Sequence, residues 1–379
     1  MIRSDSMPSR VTDTLTRLLT SAAAAVLLCS IAHATAPEVG VSGNRIIAKT
    51  AGTLGLKPVV ANQTIDLRGV NFSGSEYTCT DGSGFWDVPA GNLTTIQHMR
   101  DDWHANFIRL ELNEMCWLGI NGVPAATGGA NYQNAMAAFV NLATQNNMAV
   151  EVNLHFGDGG SANPTSDNYP GLDAAHAVTF WTSVANKFKS NKAVIFNLVN
   201  EPHATNEISW SCYLQGGCTV HGDFGSWTVV GTQTVVNAIR QTGATNPIVI
   251  AGLDWGNDLS QWLGYVPNDS VHAIIAGPHL YFDLSCKDGT CWNNVWQNIQ
   301  ASGYPVLVTE LGQFGGCNHA KIDTFMNWAD GTASPPVGYA AWAFTKASCG
   351  RGPALITNAG GSPTLTYGSG YQSHLRAVQ

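Results

Sequence analysis

The chain has 379 residues and a formal net charge of −8, from 18 Lys and Arg against 26 Asp and Glu. No basic cluster interrupts it, and without a positive footprint neither nucleic acid nor an anionic membrane surface is an expected partner. No stretch after the first residues is apolar and long enough to cross a bilayer.

Arg3, Arg10 and Arg17 precede an apolar run from Leu18 to Ile31 that is too short for a membrane span. Small residues at Ala32 and Ala34 suit a peptidase, so residues 1–34 are expected to be a signal peptide, leaving about 345 residues, 35–379, as a single secreted domain, extracellular or periplasmic. No Pro/Ser/Thr-rich linker divides that stretch. Val39 to Val60 carries the turn residues Ser42, Gly43, Asn44 and Gly52 and reads as a small hairpin plugging the bottom of the fold.

Eight short segments rich in β-branched residues come next, at Ile65–Phe72, Phe107–Leu112, Ala149–Phe156, Val194–Asn200, Ile248–Leu253, Ala273–Leu280, Val306–Glu310 and Gly338–Phe344. Helical spacing appears between most of them, at Leu93–Trp103, Tyr132–Asn146, Ala174–Phe188, Trp227–Gln241, Trp292–Ala301 and Lys321–Trp328. Repeated strand–helix units at this chain length predict an α/β fold, a single (β/α)8 TIM barrel, whose parallel strands should be nearly continuous in hydrophobicity because both faces are buried. Gly360 to Gly370 reads as a closing loop or frayed tail. The cysteines Cys79, Cys116, Cys212, Cys218, Cys286, Cys291, Cys317 and Cys349 form an even set in an exported chain, and disulfides are expected. Short separations favour Cys212 with Cys218 and Cys286 with Cys291, leaving Cys79 with Cys116 and Cys317 with Cys349. No CxxC pair or HExxH helix is present, so no metal and no cofactor is expected.

In such barrels the functional face lies at the C-terminal ends of the strands. The fourth strand ends Asn200-Glu201-Pro202 and the seventh Thr309-Glu310-Leu311, which sends two carboxylates to one mouth. A pair of this kind can cleave a glycosidic bond: one carboxyl group protonates the leaving oxygen while the other, ionised, faces the anomeric carbon. Arg109 on the second strand and the His279-Leu280-Tyr281 end of the sixth supply donors on the same rim. A structural salt bridge from Arg109 to Glu111 is the competing reading of that arginine. His155 on the third strand and Trp342 on the eighth could line a sugar, whose apolar face lies naturally against an aromatic ring. Trp86, Trp117, Trp255 and Trp292 fall in loops near the mouth and are further candidates for platforms.

Arg109, His155, Asn200, Glu201, His279, Tyr281, Glu310 and Trp342, in this order at barrel spacing, resemble the strand-end pattern of glycoside hydrolase family 5, the cellulase-containing family of clan A barrels. The likeness covers nearly all of residues 35–379. It implies a retaining catalytic domain with Glu201 as acid/base and Glu310 as nucleophile, supported by Arg109, Asn200, His279 and Tyr281. Substrate contacts would come from His155 and Trp342, with Trp117 and Trp255 added from the loops.

The stretch from Asn113 to Gly122 looks most like cellulase-type members, so an endo-β-1,4-glucanase acting as a monomer on a β-linked polysaccharide is the expectation. β-Mannan, β-1,3- or β-1,6-glucan and transglycosylation are served by the same chemistry. A glycan-binding barrel without catalysis is the reading from a different class, and retention of both carboxylates opposes it. A serine hydrolase is unsupported, because no G-x-S-x-G elbow occurs.

Overall fold

The fold is that of a computed structural model, which describes residues 35–159, 163, 169–222, 225–315, 318–347 and 352–379. The expected signal peptide and the expected Cys317–Cys349 bridge lie outside the described residues.

The barrel strands are Arg68–Phe72, Phe107–Asn113, Ala149–Phe156, Val194–Asn197, Ile248–Ala251, Ile274–Gly277 with His279–Tyr281, Leu307–Gly312 and Gly338–Ala341. All pair in parallel. The sixth is cut in two by Pro278, which has no N–H to give to a ladder. Its first half pairs with the fifth strand and its second half with the seventh, and a parallel bridge from Ala276 to Val306 closes the ring.

The strands are buried throughout, as expected, but they are not continuously apolar. Side chains alternate between the two faces of a strand. Every second residue climbs the barrel interior: Phe107, Arg109 and Glu111 on the second strand, Ala149, Glu151, Asn153 and His155 on the third, Ile195 and Asn197 on the fourth. The lowest layer is apolar, and Phe107, Ala149, Ile195, Val249, Ile275 and Leu307 form one cluster with Val39, Ile46, Ala48, Leu54 and Val59. Those last residues come from two antiparallel hairpins, Val39–Ser42 with Arg45–Ala48 and Gly52–Leu54 with Lys57–Val59. The expected single hairpin is thus a pair, and together they close the barrel floor.

A larger apolar cluster joins the outer faces of the strands to the helices. The helices include Ala130–Gln145, Ala177–Phe188, Thr232–Gln241, Ala320–Gly331 and Tyr367–Val378. The expected closing loop from Gly360 to Gly370 holds over 360–366, but its last residues, from Tyr367 on, begin this last helix. Gly368, Ser369 and Gly370 are poor helix formers, yet Tyr367, Tyr371 and Leu375 recur every fourth residue and are all buried. The Tyr371 hydroxyl donates to the Gly69 carbonyl at 2.5 Å and that of Tyr367 to the Trp342 carbonyl at 2.8 Å, so tertiary contacts override propensity.

Residues 227–230 also depart from the expected helix, lying in the strand Gly225–Val230, paired antiparallel with Gly216–Gly222. Trp227 and Val229 are buried while Thr228 is exposed, a period of two rather than 3.6. Disulfides join Cys79 to Cys116, Cys212 to Cys218 and Cys286 to Cys291. Among the described residues no helix is long and apolar enough to cross a membrane.

Candidate active site

Above the apolar floor the interior of the barrel becomes charged. Arg109 is fully buried and each nitrogen of its guanidinium has a partner. Nε donates to Glu151 Oε1 at 2.9 Å, Nη2 to Asn200 Oδ1 at 2.7 Å, and Nη1 to both Asn71 Oδ1 and Glu310 Oε1 at 2.8 Å. The competing salt bridge to Glu111 is also present, at 3.1 Å, so the two readings of this arginine coexist. A planar fork with five donors suits this task, and a lysine could not reproduce it.

Glu310 receives a second donor from the opposite side, the Tyr281 hydroxyl at 2.8 Å from Oε2. Burial and the Glu310 charge hold that phenol well above the usual tyrosine range, so it remains a donor. The ladder between the seventh and eighth strands shifts register between Val308 and Leu311, a bulge of the kind that re-aims a side chain, and Glu310 sits inside it. Asn71 fastens this corner from the first strand, its amide donating to the carbonyls of Thr309 at 3.0 Å and Ala340 at 3.1 Å.

Glu201 faces Glu310 across the mouth. His279 stands between them, Nδ1 lying 3.0 Å from Glu201 Oε1 and 3.7 Å from Glu310 Oε2, and one carboxylate oxygen of each glutamate lies within 4.8 Å of the other. Burial pushes the His279 imidazole down to about 3, against the opposing pull of Glu310. It is therefore neutral at ordinary pH, and with the proton on Nδ1 it donates to Glu201. His155 is likewise pushed down by burial. Its Nδ1 lies 3.2 Å from Glu111 Oε2, and its ring stacks on Trp342 with centroids 5.3 Å apart.

A cleft of about 400 Å³ opens over the two glutamates, walled by His155, Trp342, Tyr281, Trp255 and Phe314. Trp255 is 42% exposed and lies flat on His203, centroids 3.9 Å apart. Phe314 is 56% exposed and stacks on Tyr281 at 5.1 Å. Sequence reasoning passed over Phe314; an apolar ring directly after the Glu310 strand end was the available signal. A larger groove of about 960 Å³ lies at the opposite end of the barrel, but there Arg240 is already tied to Asp269 at 2.7 Å and no pair of carboxylates meets.

Two candidate platforms do not reach the mouth. Trp117 is fully buried in the short helix Glu114–Leu118, packs edge-on against Tyr132 and Phe180, and donates its indole N–H to Ser183. It cannot touch a substrate, because the Cys79–Cys116 bridge and the helix fold it into the barrel wall. Trp292 is also buried, among Trp296, Phe325 and Trp328.

The family model described as cellulase (glycosyl hydrolase family 5) matches residues 65–348, three quarters of the chain and every barrel strand. The chain belongs to glycosyl hydrolase family 5. Endoglucanase B of Clostridium cellulovorans is 29% identical over 252 residues, covering 63% of this chain and 53% of that protein. Endoglucanase N of Pectobacterium atrosepticum is 23% identical over 290 residues, 75% of this chain and 54% of its own length. The chain therefore spans about half the length of these curated relatives. Among solved structures, a β-glucanase from Saccharophagus degradans in complex with cellotetraose superposes with a TM-score of 0.63 at 17% identity, over 92% of this chain and 96% of that one. The catalytic domain of an endoglucanase from Thermobifida fusca gives 0.60 at 17% identity, over 89% and 97%. At such identities the likeness establishes the shared (β/α)8 fold of this family 5 member.

Proposed function

We propose that this family 5 barrel is a secreted, retaining endo-β-1,4-glucanase in which Glu310 is the nucleophile and Glu201 the acid/base. The observation that carries the proposal is the asymmetry of the two carboxylates: Glu310 is held by Arg109 and Tyr281 at 2.8 Å each, while Glu201, within 4.8 Å, has the neutral His279 beside it. Retaining enzymes place their two carboxyl groups about 5 to 5.5 Å apart, whereas inverting ones leave about 6.5 to 9.5 Å for a water.

In the first step a Glu310 oxygen attacks the anomeric carbon as the bond to the leaving oxygen breaks, and Glu201 gives that oxygen its proton. A glycosyl ester on Glu310 results. In the second step Glu201, now a base, takes a proton from water as the water oxygen attacks the anomeric carbon and Glu310 departs. Asn200, fixed by Arg109, is placed to bind the sugar hydroxyl next to the reacting carbon, and the exposed faces of Trp342, Trp255 and Phe314 are placed to carry sugar rings.

The β-1,4-glucan assignment draws on the names of the endoglucanase relatives and on the cellotetraose held by a structural neighbour. Secretion draws on the leader-like residues 1–34 and on the disulfides. A panel of soluble polysaccharides with reducing ends counted is the test: release from β-1,4-glucan should exceed release from β-mannan and β-1,3-glucan. No release from any soluble β-1,4-glucan would overturn the substrate assignment.

A further inference from the structure

Glu111 is a buried acid that the cleavage steps leave without a task. Its side chain is fully buried on the second strand, one inward step above Arg109 and level with Asn153 on the third, so it touches no substrate. One carboxylate oxygen, Oε1, has no hydrogen-bond partner among the described residues, and burial pushes the group up to about 7 against the pull of Arg109. A buried carboxyl group kept at that cost calls for a use.

The other oxygen, Oε2, has two neighbours. Arg109 Nη1 lies 3.1 Å away and His155 Nδ1 3.2 Å. Nη1 carries two hydrogens, and the Asn71 and Glu310 oxygens accept them at 2.8 Å each, so Glu111 receives the arginine's charge but must find its hydrogen elsewhere. His155 Nδ1 is the donor in reach. That nitrogen's further partner among the described residues, Asn153 Oδ1 at 3.2 Å, is an acceptor as well. Glu76, the other buried acid near the ring, accepts instead from the Ser73 hydroxyl at 2.6 Å and the Gly74 amide at 2.7 Å. Burial keeps the imidazole neutral, so it has one hydrogen to place; two oxygens beside Nδ1 place it there and leave Nε2 bare. The same ring stacks on Trp342 and walls the cleft over the two glutamates.

We propose that Glu111 is a positioning residue: through Oε2 it fixes His155 with its hydrogen on Nδ1, and it ties the His155 and Trp342 wall of the cleft to the Arg109 and Glu310 pair. Nε2 is then left to accept a hydrogen bond from a sugar hydroxyl. A proton on Glu111 does not undo this, because Oε1 can take it while Oε2 still accepts. The kinetic part of this role rests on the reading of Glu310 as nucleophile, whereas the placement of the ring hydrogen does not.

The test is nitrogen-15 nuclear magnetic resonance of the full protein labelled at histidine, with the His155 signals assigned by their absence from His155→Asn. A hydrogen on Nδ1 and a bare Nε2 are expected. Glu111→Leu, similar in volume but with no acceptor, should move the hydrogen toward Nε2 and lower kcat about a hundredfold, with KM changed far less. Glu111→Gln keeps an oxygen for both partners and should restore the Nδ1 form and most of kcat, so that lost volume is excluded by the first variant and lost charge by the second. A hydrogen on Nε2 in the unaltered protein would overturn the proposal, and this reading needs no change at Glu111, so it stands even if Glu111→Leu fails to fold. A ring signal that Glu111→Leu leaves in place, or a kcat equal to the parent's, would overturn it too. The signal can be recorded in Glu310→Gln without any cleavage: an active Glu310→Gln with the expected ring signal refutes the catalytic reading alone, and a misplaced ring hydrogen refutes the positioning role alone.

Discussion

The floor and the mouth of the barrel are built from the same strands and behave as different materials. At the floor the inward residues Phe107, Ala149 and Ile195 join Val39, Ile46 and Leu54 in an apolar plug, where burial is favourable at about 25 cal/mol per Å². One inward step higher the same strands present Arg109, Glu151 and Asn197, and higher still Glu111, Asn153 and His155, all buried. Charge taken out of water is costly even when paired. Three carboxylates, Glu111, Glu151 and Glu310, share the one guanidinium of Arg109, and burial pushes Glu111 and Glu151 up to about 7 against its pull. The comparison teaches that the floor stabilises and the mouth spends stability to hold Glu201 and Glu310 facing each other.

Changes at the mouth should therefore remove activity out of proportion to stability, and the largest is Glu310→Gln. It keeps the shape and the donors while removing the proposed nucleophile, and a loss of at least about a thousandfold in kcat/KM is expected with glycan binding intact. Steady-state kinetics with a binding assay on the same preparation checks this; near-normal turnover would refute the assigned role. Arg109→Met should affect both properties, because it leaves buried carboxylates unpaired: about 3 to 5 kcal/mol less stable by denaturant unfolding, with activity lost even in the folded fraction.

At the floor the order reverses. Ile195→Ala is expected to cost about 2 to 5 kcal/mol of stability with kcat/KM nearly unchanged well below the unfolding temperature. A large loss of kcat/KM in the folded protein would mean that floor and mouth are not separable.

The smallest effect is on pH dependence. A carboxyl group whose folded value lies above its ordinary 4.5 binds protons more tightly when folded, so its contribution is fully present below 4.5 and is lost as pH rises through about 7. Thermal midpoints should fall across that window, and Glu151→Gln should flatten part of the fall. An unchanged pH profile would show that Glu151 is ionised throughout.

Much of the fold and site is legible in the chain alone. Eight strands stand out as short β-branched runs; Glu201 and Glu310 stand out because charge at the end of an apolar run needs a reason, Arg109 because it is a charge within one, and His279 and Tyr281 because they end the sixth strand on the same rim. Less visible are Asn71 and Glu151, which lie inside strands, where only the period-two alternation from Phe107 to Glu111 and from Ala149 to His155 marks a polar interior. Trp117 misleads because spacing cannot tell a loop that folds back into the wall from one that overhangs the cleft. The C-terminal helix is hidden by its glycines, although the four-residue spacing of Tyr367, Tyr371 and Leu375 is there to be read.

The geometry of the two glutamates makes its sharpest demand on stereochemistry. Nuclear magnetic resonance of the first product released from a β-1,4-linked glucose oligomer, recorded before the free sugar mutarotates, reads the configuration at the cleaved carbon directly. A β product is expected from attack by Glu310 and then by water; an initial α product would mean that water attacks first, and would contradict the assignment of Glu310 as nucleophile.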